Sequence, residues 1–206
     1  MDSIYTMVIL KELGLDPDCP QAQRAMKQVV EKLKWIPLNN RKFFESETEP
    51  CINGAILSIG AYFKQDCKVL LDLLLSHQLS DGGWNCSAPP STKSSFHSTV
   101  RVLEGLLEYE RSFGASDQTK KARSAGEHYI LERNLFRSKQ TVEVIDANWL
   151  KFAYPTTWHY DILRGLDYLR DAKTIPDHCL DEAVEIMMSR MHQNGRWPLN
   201  RASSAI

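Results

Sequence analysis

The sequence predicts an all-α fold built as a series of about four helical hairpins, on three observations. Almost no segment alternates apolar and polar residues with period two, whereas the helical period recurs along the chain. Two kinds of helix alternate. Residues 51–63, "CINGAILSIGAYF", carry no charge and must be enclosed on all sides. The next segment, "CKVLLDLLLSHQ", sets Val69, Leu70, Leu73, Leu74 and His77 on one stripe and leaves a wet face. Finally, an aromatic residue follows each second helix, at Trp35, Trp84, Phe136 and Trp197. A repeat of roughly 50 residues marks αα units stacked side by side.

Taken in order, the expected helices are 3–15 with 19–33, 51–63 with 66–79, 95–111 with 118–133, and 157–171 with 177–192. The linkers "GLDPDCP", "KQD", "FGASD" and "KTIPD" supply Gly and Pro to stop a helix and Asp to cap the next. With their aromatic turns the hairpins cover 3–35, 51–84, 95–136 and 157–197, all within one domain over 1–206. In the last helix Leu180, Ala183, Val184, Met187, Met188 and Met191 form the stripe expected to be buried. Three long connections separate the hairpins: "WIPLNNRKFFESETEP", "NCSAPPSTKSS" and "FRSKQTVEVIDANWLKFAYPT". Connections of that length are candidate functional loops, and the third is expected to hold a short helix or strand around 142–150.

Composition narrows the function classes. A net charge of −1 gives no electrostatic footprint for nucleic acid or an anionic membrane. No apolar run approaches the ~18 residues of a membrane span, and the start lacks the basic region and cleavage site of a signal peptide. Five cysteines at irregular spacing fit a reducing compartment better than a disulfide framework, so a cytoplasmic location is expected. Glycine-rich phosphate loops, Gly-x-Ser-x-Gly elbows and His-Glu-x-x-His are all lacking.

"HQLSDGGWNC", residues 77–86, carries the most information. Gln78 falls in the last turn of its helix, where backbone carbonyls lack intrahelical partners. Its amide can donate to one of them, Gly82 and Gly83 permit a left-handed turn, and Trp84 is expected to fold back over the helix end. The stretch reads as a staple between one repeat and the next. "MHQNGRWPLN", residues 191–200, gives a looser copy with Gln193, Gly195 and Trp197.

This motif resembles the Gln–Trp motif of triterpene cyclases such as squalene–hopene cyclase. The alternation of enclosed and outer helices is similar to the α/α toroid shared by those cyclases and the β subunits of protein prenyltransferases. The resemblance implies an inner ring of helices within an outer one, and an apolar cavity for an isoprenoid or other hydrophobic ligand. Such toroids close with five to seven hairpins. Four imply an incomplete ring, a truncated one, or one completed by a second copy in a homodimer. The Asp-x-Asp-Asp acid of class II cyclases is not present, so the reaction is left open. The protein is either a cyclase- or transferase-like enzyme, or a non-catalytic module that binds a ligand or a protein.

Three enclosed helices begin with polar groups, "ETEPCIN", "SSFHSTV" and "TTWHYDI". If these helices run parallel, their starts gather Cys51, His97 and His159 at one rim of the cavity, with Asp161 beside them as catalytic candidates. Prenyltransferase β subunits bind zinc through an Asp-x-Cys pair and a His on the next inner helix. Glu49, Cys51 and His97 resemble that set, and carboxylate, thiolate and imidazole are competent zinc ligands. The alternative is a buried small residue and a hydrogen-bonded histidine. Phe96, Arg101, Glu104, Trp158, Tyr160 and Arg164 are the candidates for a cavity wall. For the charges among them, and for Asp167, the alternative is ion pairs between repeats; for the rings it is ordinary core. Gly105 and Gly165, at matching places in two helices, are expected to let neighbouring helices approach closely.

Overall fold

Helices dominate the structure, as expected of an all-α chain. The computed structural model describes residues 2–45, 48–156, 158–174 and 178–202. Among them are eight α-helices: α1 Asp2–Glu12, α2 Pro20–Lys32, α3 Pro50–Tyr62, α4 Lys68–Ser76, α5 Phe96–Phe113, α6 Asp117–Leu131, α7 Ile162–Asp171 and α8 Asp181–Ser189. Among the described residues, strands are confined to two-residue pairs, Lys34–Trp35 with Arg41–Lys42 and Ala153–Tyr154 with Arg201–Ala202. Local chemistry sets the helix starts. The Cys19 sulfur accepts the Ala22 N–H at the head of α2, with Pro20 in the first turn where no N–H is needed. Ser95 accepts the Ser98 N–H at the head of α5. The short element expected around 142–150 is a 3-10 turn, Ala147–Leu150, capped by Asp146. Among the described residues, no helix is long and apolar enough to cross a membrane.

The chain divides into two compact units, Met1–Ala125 and Gly126–Ile206. In the first, α3 is the centre. It packs most extensively on α5 and also meets α1 and α4. Ten of its 13 residues are buried, Ile56, Leu57 and Ile59 almost completely, and each such side chain contributes about 1.5–3 kcal/mol by leaving water. Gly54 and Gly105 make the α3–α5 contact possible. A Cβ on Gly54 would stand 2.6 Å from the Arg101 carbonyl oxygen, and one on Gly105 would stand 2.5 Å from that of Gly54. The expected close approach of helices at Gly105 is therefore met. On α4 the buried face is Leu70, Leu71 and Leu74. Val69 and His77, expected on that stripe, are exposed, because the helix is turned to seat Leu71 instead.

Ion pairs tie α5 to its neighbours through residues outside the expected set: Lys11 with Glu108 at 3.3 Å and Arg123 with Glu110 at 2.9 Å. Arg101, by contrast, pairs with Glu104 at 2.9 Å on its own helix.

In the second unit α7 packs on α8. The expected start of α7 at Thr157 lies outside the described residues, but Trp158, His159 and Tyr160 precede the helix rather than forming its first turn. Asp161 is the cap, accepting the Arg164 N–H at 2.9 Å. Gly165 does not serve a helix–helix approach. A Cβ there would meet the Tyr160 hydroxyl at 2.6 Å, so the glycine makes room for that ring, whose hydroxyl donates to the Leu135 carbonyl at 2.7 Å. Asp167 pairs with Arg170 along α7. Arg137 forms a two-pronged pair with Glu182 on α8. A 3-10 turn, His178–Leu180, leads into α8; the expected start at Asp177 lies outside the described residues. Of the expected α8 stripe, Leu180 and Ala183 are buried, whereas Val184, Met188 and Met191 are exposed.

Candidate thiol and carboxylate site

The first turn of α3 and the loop after Trp84 bring three potential ligand atoms together. Glu49, Cys51 and Cys86 each place one within 4.8 Å of the others. Proline at position 50 starts the helix, and the Glu49 carboxylate makes no capping bond. It accepts instead from the Cys51 thiol, with Sγ 3.6 Å from Oε2. The Cys51 and Cys86 sulfurs lie 2.9 Å apart. Cys86 is fixed from both sides. Its sulfur accepts the Cys51 backbone N–H at 3.4 Å and lies 3.1 Å from the Ser98 hydroxyl, while its own N–H donates to Ser98 Oγ at 3.2 Å. Just before it, the Trp84 N–H donates to Thr99 Oγ1 at 3.0 Å. The start of α5 thus clamps residues 84–86 and delivers Cys86 to the start of α3.

This arrangement separates the two thiols electrically. The hydrogen bond with Cys51 lowers Cys86 to about 7; burial opposes that shift, and the Ser98 hydroxyl and the Cys51 N–H assist it. The Cys51 thiol is pushed far up, first by its hydrogen bond with Cys86, then by burial and by the negative charges of Cys86 and Glu49. Cys86 is therefore the thiol of the pair that gives up its proton more readily. Of the residues expected to meet here, Glu49 and Cys51 do. His97 stands at the second position of α5, half-buried, and is not a member of the group; Cys86 takes the third place. Sequence spacing did not reveal it, because Cys86 lies 35 residues from Cys51 in an irregular loop. The available signal was its position two residues after Trp84, the anchor of the turn.

A cleft of about 470 Å³ lies on the same unit, lined in part by Thr48, Pro50, His77, Gln78, Asn85 and Ser91. Pro50 and Asn85 each immediately precede a cysteine of the group. None of the candidates for a cavity wall lines this cleft. Phe96 and Arg101 are buried, and Glu104 is half-buried.

The turn at residues 77–86 behaves as the expected staple. The Gln78 amide donates to Gly82 at 2.7 Å and across to the Ala122 carbonyl on α6 at 2.8 Å. The buried Trp84 indole donates to the Leu74 carbonyl near the end of α4. The second copy repeats the backbone. Leu79 N–H donates to Gly83 and Gly82 N–H to Leu79; His192 N–H donates to Arg196 and Gly195 N–H to His192. Both Gly82 and Gly195 have positive φ. That register corrects one sequence assignment: Gln193 falls at the place of Ser80, and Met191 stands where Gln78 does. The second turn keeps its glycine and tryptophan without the stapling glutamine.

In the second unit Asp161 is buried and accepts from the Arg164 and Ala153 N–H groups. Burial raises its carboxyl above the usual value, against the pull of those bonds and of the Arg164 charge. The buried Arg164 guanidinium donates to the His159 carbonyl at 2.6 Å. His159 stacks on Trp158, a residue that is 52% exposed, and Tyr160 is buried, with its ring edge-on to Trp149. No protein-family model, curated protein or solved structure matches the chain.

Proposed function

We propose that this chain is a terpenoid cyclase- and prenyltransferase-like α/α scaffold, a ring or part of one, that binds a hydrophobic small molecule of the isoprenoid class, and that Glu49, Cys51 and Cys86 are its metal-binding centre. The observation that carries the proposal is the convergence of two thiols and a carboxylate from separate segments within 4.8 Å. The packing of α1 on α3 and α3 on α5 in series, with α4 against α3, supports the layered scaffold. So does the Gln78 bond from beyond the end of α4 to the Ala122 carbonyl within α6.

The donor set suits zinc. Zinc–sulfur bonds of about 2.3 Å and zinc–oxygen bonds of about 2.0 Å give tetrahedral edges of about 3.8 Å between sulfurs and about 3.5 Å between sulfur and oxygen. The Glu49–Cys51 separation of 3.6 Å matches, and the sulfurs, at 2.9 Å, need to part by about 0.9 Å, a small side-chain rotation. Bound there with three protein ligands, zinc would supply Lewis acidity at an open fourth position. The Ser98 hydroxyl and the Cys51 amide would steady a Cys86 thiolate, and with a Cys51 thiolate and the Glu49 carboxylate the three ligands would carry one negative charge more than the ion. Five free cysteines agree with a reducing, cytoplasmic setting.

The test is metal content and bound lipid measured on one preparation. Zinc near one equivalent that is lost in Cys51→Ala and Cys86→Ala, with an isoprenoid-like lipid released on denaturation, is the expected result. Protein that is zinc-free at neutral pH removes the metal centre, and protein that takes up no prenyl lipid removes the isoprenoid assignment. A second reading, a non-catalytic module that binds a ligand or a protein, is favoured by the polar residues in the cleft wall, His77, Gln78, Asn85 and Ser91 among them. It predicts binding without turnover of prenyl diphosphates. Completion of the ring by a second copy predicts a dimer in solution.

A further inference from the structure

We infer that Cys51 and Cys86 form a reversible dithiol–disulfide pair that hydroperoxides oxidise. Geometry carries this inference. The two sulfurs already lie 2.9 Å apart, and a disulfide at about 2.05 Å needs them to close by only about 0.9 Å. Both residues are held in place: Cys51 by the first turn of α3, Cys86 by the Ser98 hydroxyl and the Cys51 N–H. Both are half-buried, so a small oxidant has access while bulk collisions are limited. The remaining cysteines are placed differently. Cys67 is buried, the Cys19 sulfur caps α2, and Cys179 belongs to the second unit.

The chemistry balances with hydrogen peroxide, the simplest hydroperoxide, as the two-electron oxidant. The Cys86 sulfur attacks a peroxide oxygen; the S–O bond forms, the O–O bond breaks, and the departing oxygen leaves as water with the thiol proton. The Cys51 sulfur then attacks the Cys86 sulfenic acid. The S–S bond forms, the S–O bond breaks, and a second water leaves with the Cys51 proton. The dithiol has lost two electrons and the peroxide has been reduced. A small thiol reverses the step by exchange. The new bond ties the start of α3 to the loop that leads into α5. Because Pro50 and Asn85, the neighbours of the two cysteines, line the cleft, oxidation fastens together two segments of its lining.

Zinc and peroxide compete for the same two sulfurs, so a chelator separates this inference from the metal proposal. The test treats the reduced full-length chain with hydrogen peroxide in the presence of a chelator. Free thiols are alkylated, and the intact mass and linked peptides are then read. The expected result is a monomer that loses two of its five thiols, a peptide joining Cys51 to Cys86, and full recovery with dithiothreitol. Cys51→Ser and Cys86→Ser, each checked for helix content, should abolish the link. Retention of all five thiols, a link through Cys19, Cys67 or Cys179, or oxygen addition without a link overturns the inference. A parallel sample given zinc distinguishes the two proposals. Protection of both thiols supports the metal centre, whereas disulfide formation undiminished by zinc ends the metal proposal and leaves this one standing.

Discussion

The Trp84 indole N–H donates to the Leu74 carbonyl at 2.7 Å, and Trp197 makes the same bond to Met187 at the same distance. Each acceptor is the third residue from the end of its helix, α4 or α8, where the carbonyl otherwise keeps only a long 3.3 Å bond, from the His77 N–H at Leu74 and from the Arg190 N–H at Met187. Burial distinguishes the copies: Trp84 is 0% exposed and Trp197 is 41% exposed. Trp84→Phe therefore removes the shorter of the two bonds to a buried carbonyl and leaves a gap in the core, and should cost about 1–3 kcal/mol. Water can replace Trp197 at its carbonyl, and Trp197→Phe should stay within about 0.5–1 kcal/mol. Urea denaturation of the two variants checks the order, and equal losses would show that the buried bond has no special weight.

Gln78 uses both amide hydrogens on carbonyls, those of Gly82 and Ala122. Gln78→Glu keeps the shape and turns donors into acceptors facing acceptors. It should destabilise by about 2 kcal/mol or more, whereas Gln78→Met, which copies the residue at the matching place in the second turn, should cost about 1 kcal/mol. A Glu in that position has a raised folded pKa, so its penalty should shrink as pH falls and one donor returns. Thermal melts of both variants at neutral and acid pH test this. An unchanged gap would mean that the side chain is solvated rather than bonded.

Gly54→Ala and Gly105→Ala ask whether α3 and α5 tolerate separation. In an open helix this change stabilises by about 1 kcal/mol. Here each new Cβ would approach a backbone oxygen to within 2.6 Å, and backbone cannot rotate away. Both variants should lose about 1–3 kcal/mol, as overpacked cores do. Gly14→Ala is the control. Nothing lies within 4 Å of it, and its φ of +75° predicts only the cost of left-handed backbone, about 1 kcal/mol. If Gly54→Ala melts no lower than Gly14→Ala, the close approach is not limiting.

What the sequence revealed depended on how local the cause was. Caps and charge-free runs are local, so α2, α3 and α5 begin within a residue or two of expectation. The start of α7 was misplaced because Thr157 and Asp161 both suit a cap, and the choice falls to Asp161, which also takes the Ala153 N–H. Stripes were rotated where one leucine decides the face, as Leu71 does on α4. The half of the site within one turn, Glu49 and Cys51, was readable. Cys86 was not, because only the packing of residues 84–86 against Thr99 and Ser98 carries it there.

Asp161 offers a pH test with a definite sign. Burial raises its carboxyl pKa in the folded state. A folded value above the unfolded one means that the native state holds the proton more tightly. The stabilisation from this group is therefore fully present below the unfolded value of about 3.9 and is lost as pH rises through the folded value. Asp161→Asn removes the titration and keeps one of two acceptors, the two N–H groups being bound by different oxygens. It should cost about 1 kcal/mol near neutrality and less than Asp161→Ala, which also loses the cap, worth about 0.5–2 kcal/mol. Denaturation followed from about pH 4 to 7, the span above the ordinary carboxylate value, should show the native protein losing stability relative to Asp161→Asn as pH rises. The opposite slope would mean that attraction to Arg164 outweighs burial, and that Asp161 is held as a charged partner rather than as a strained cap.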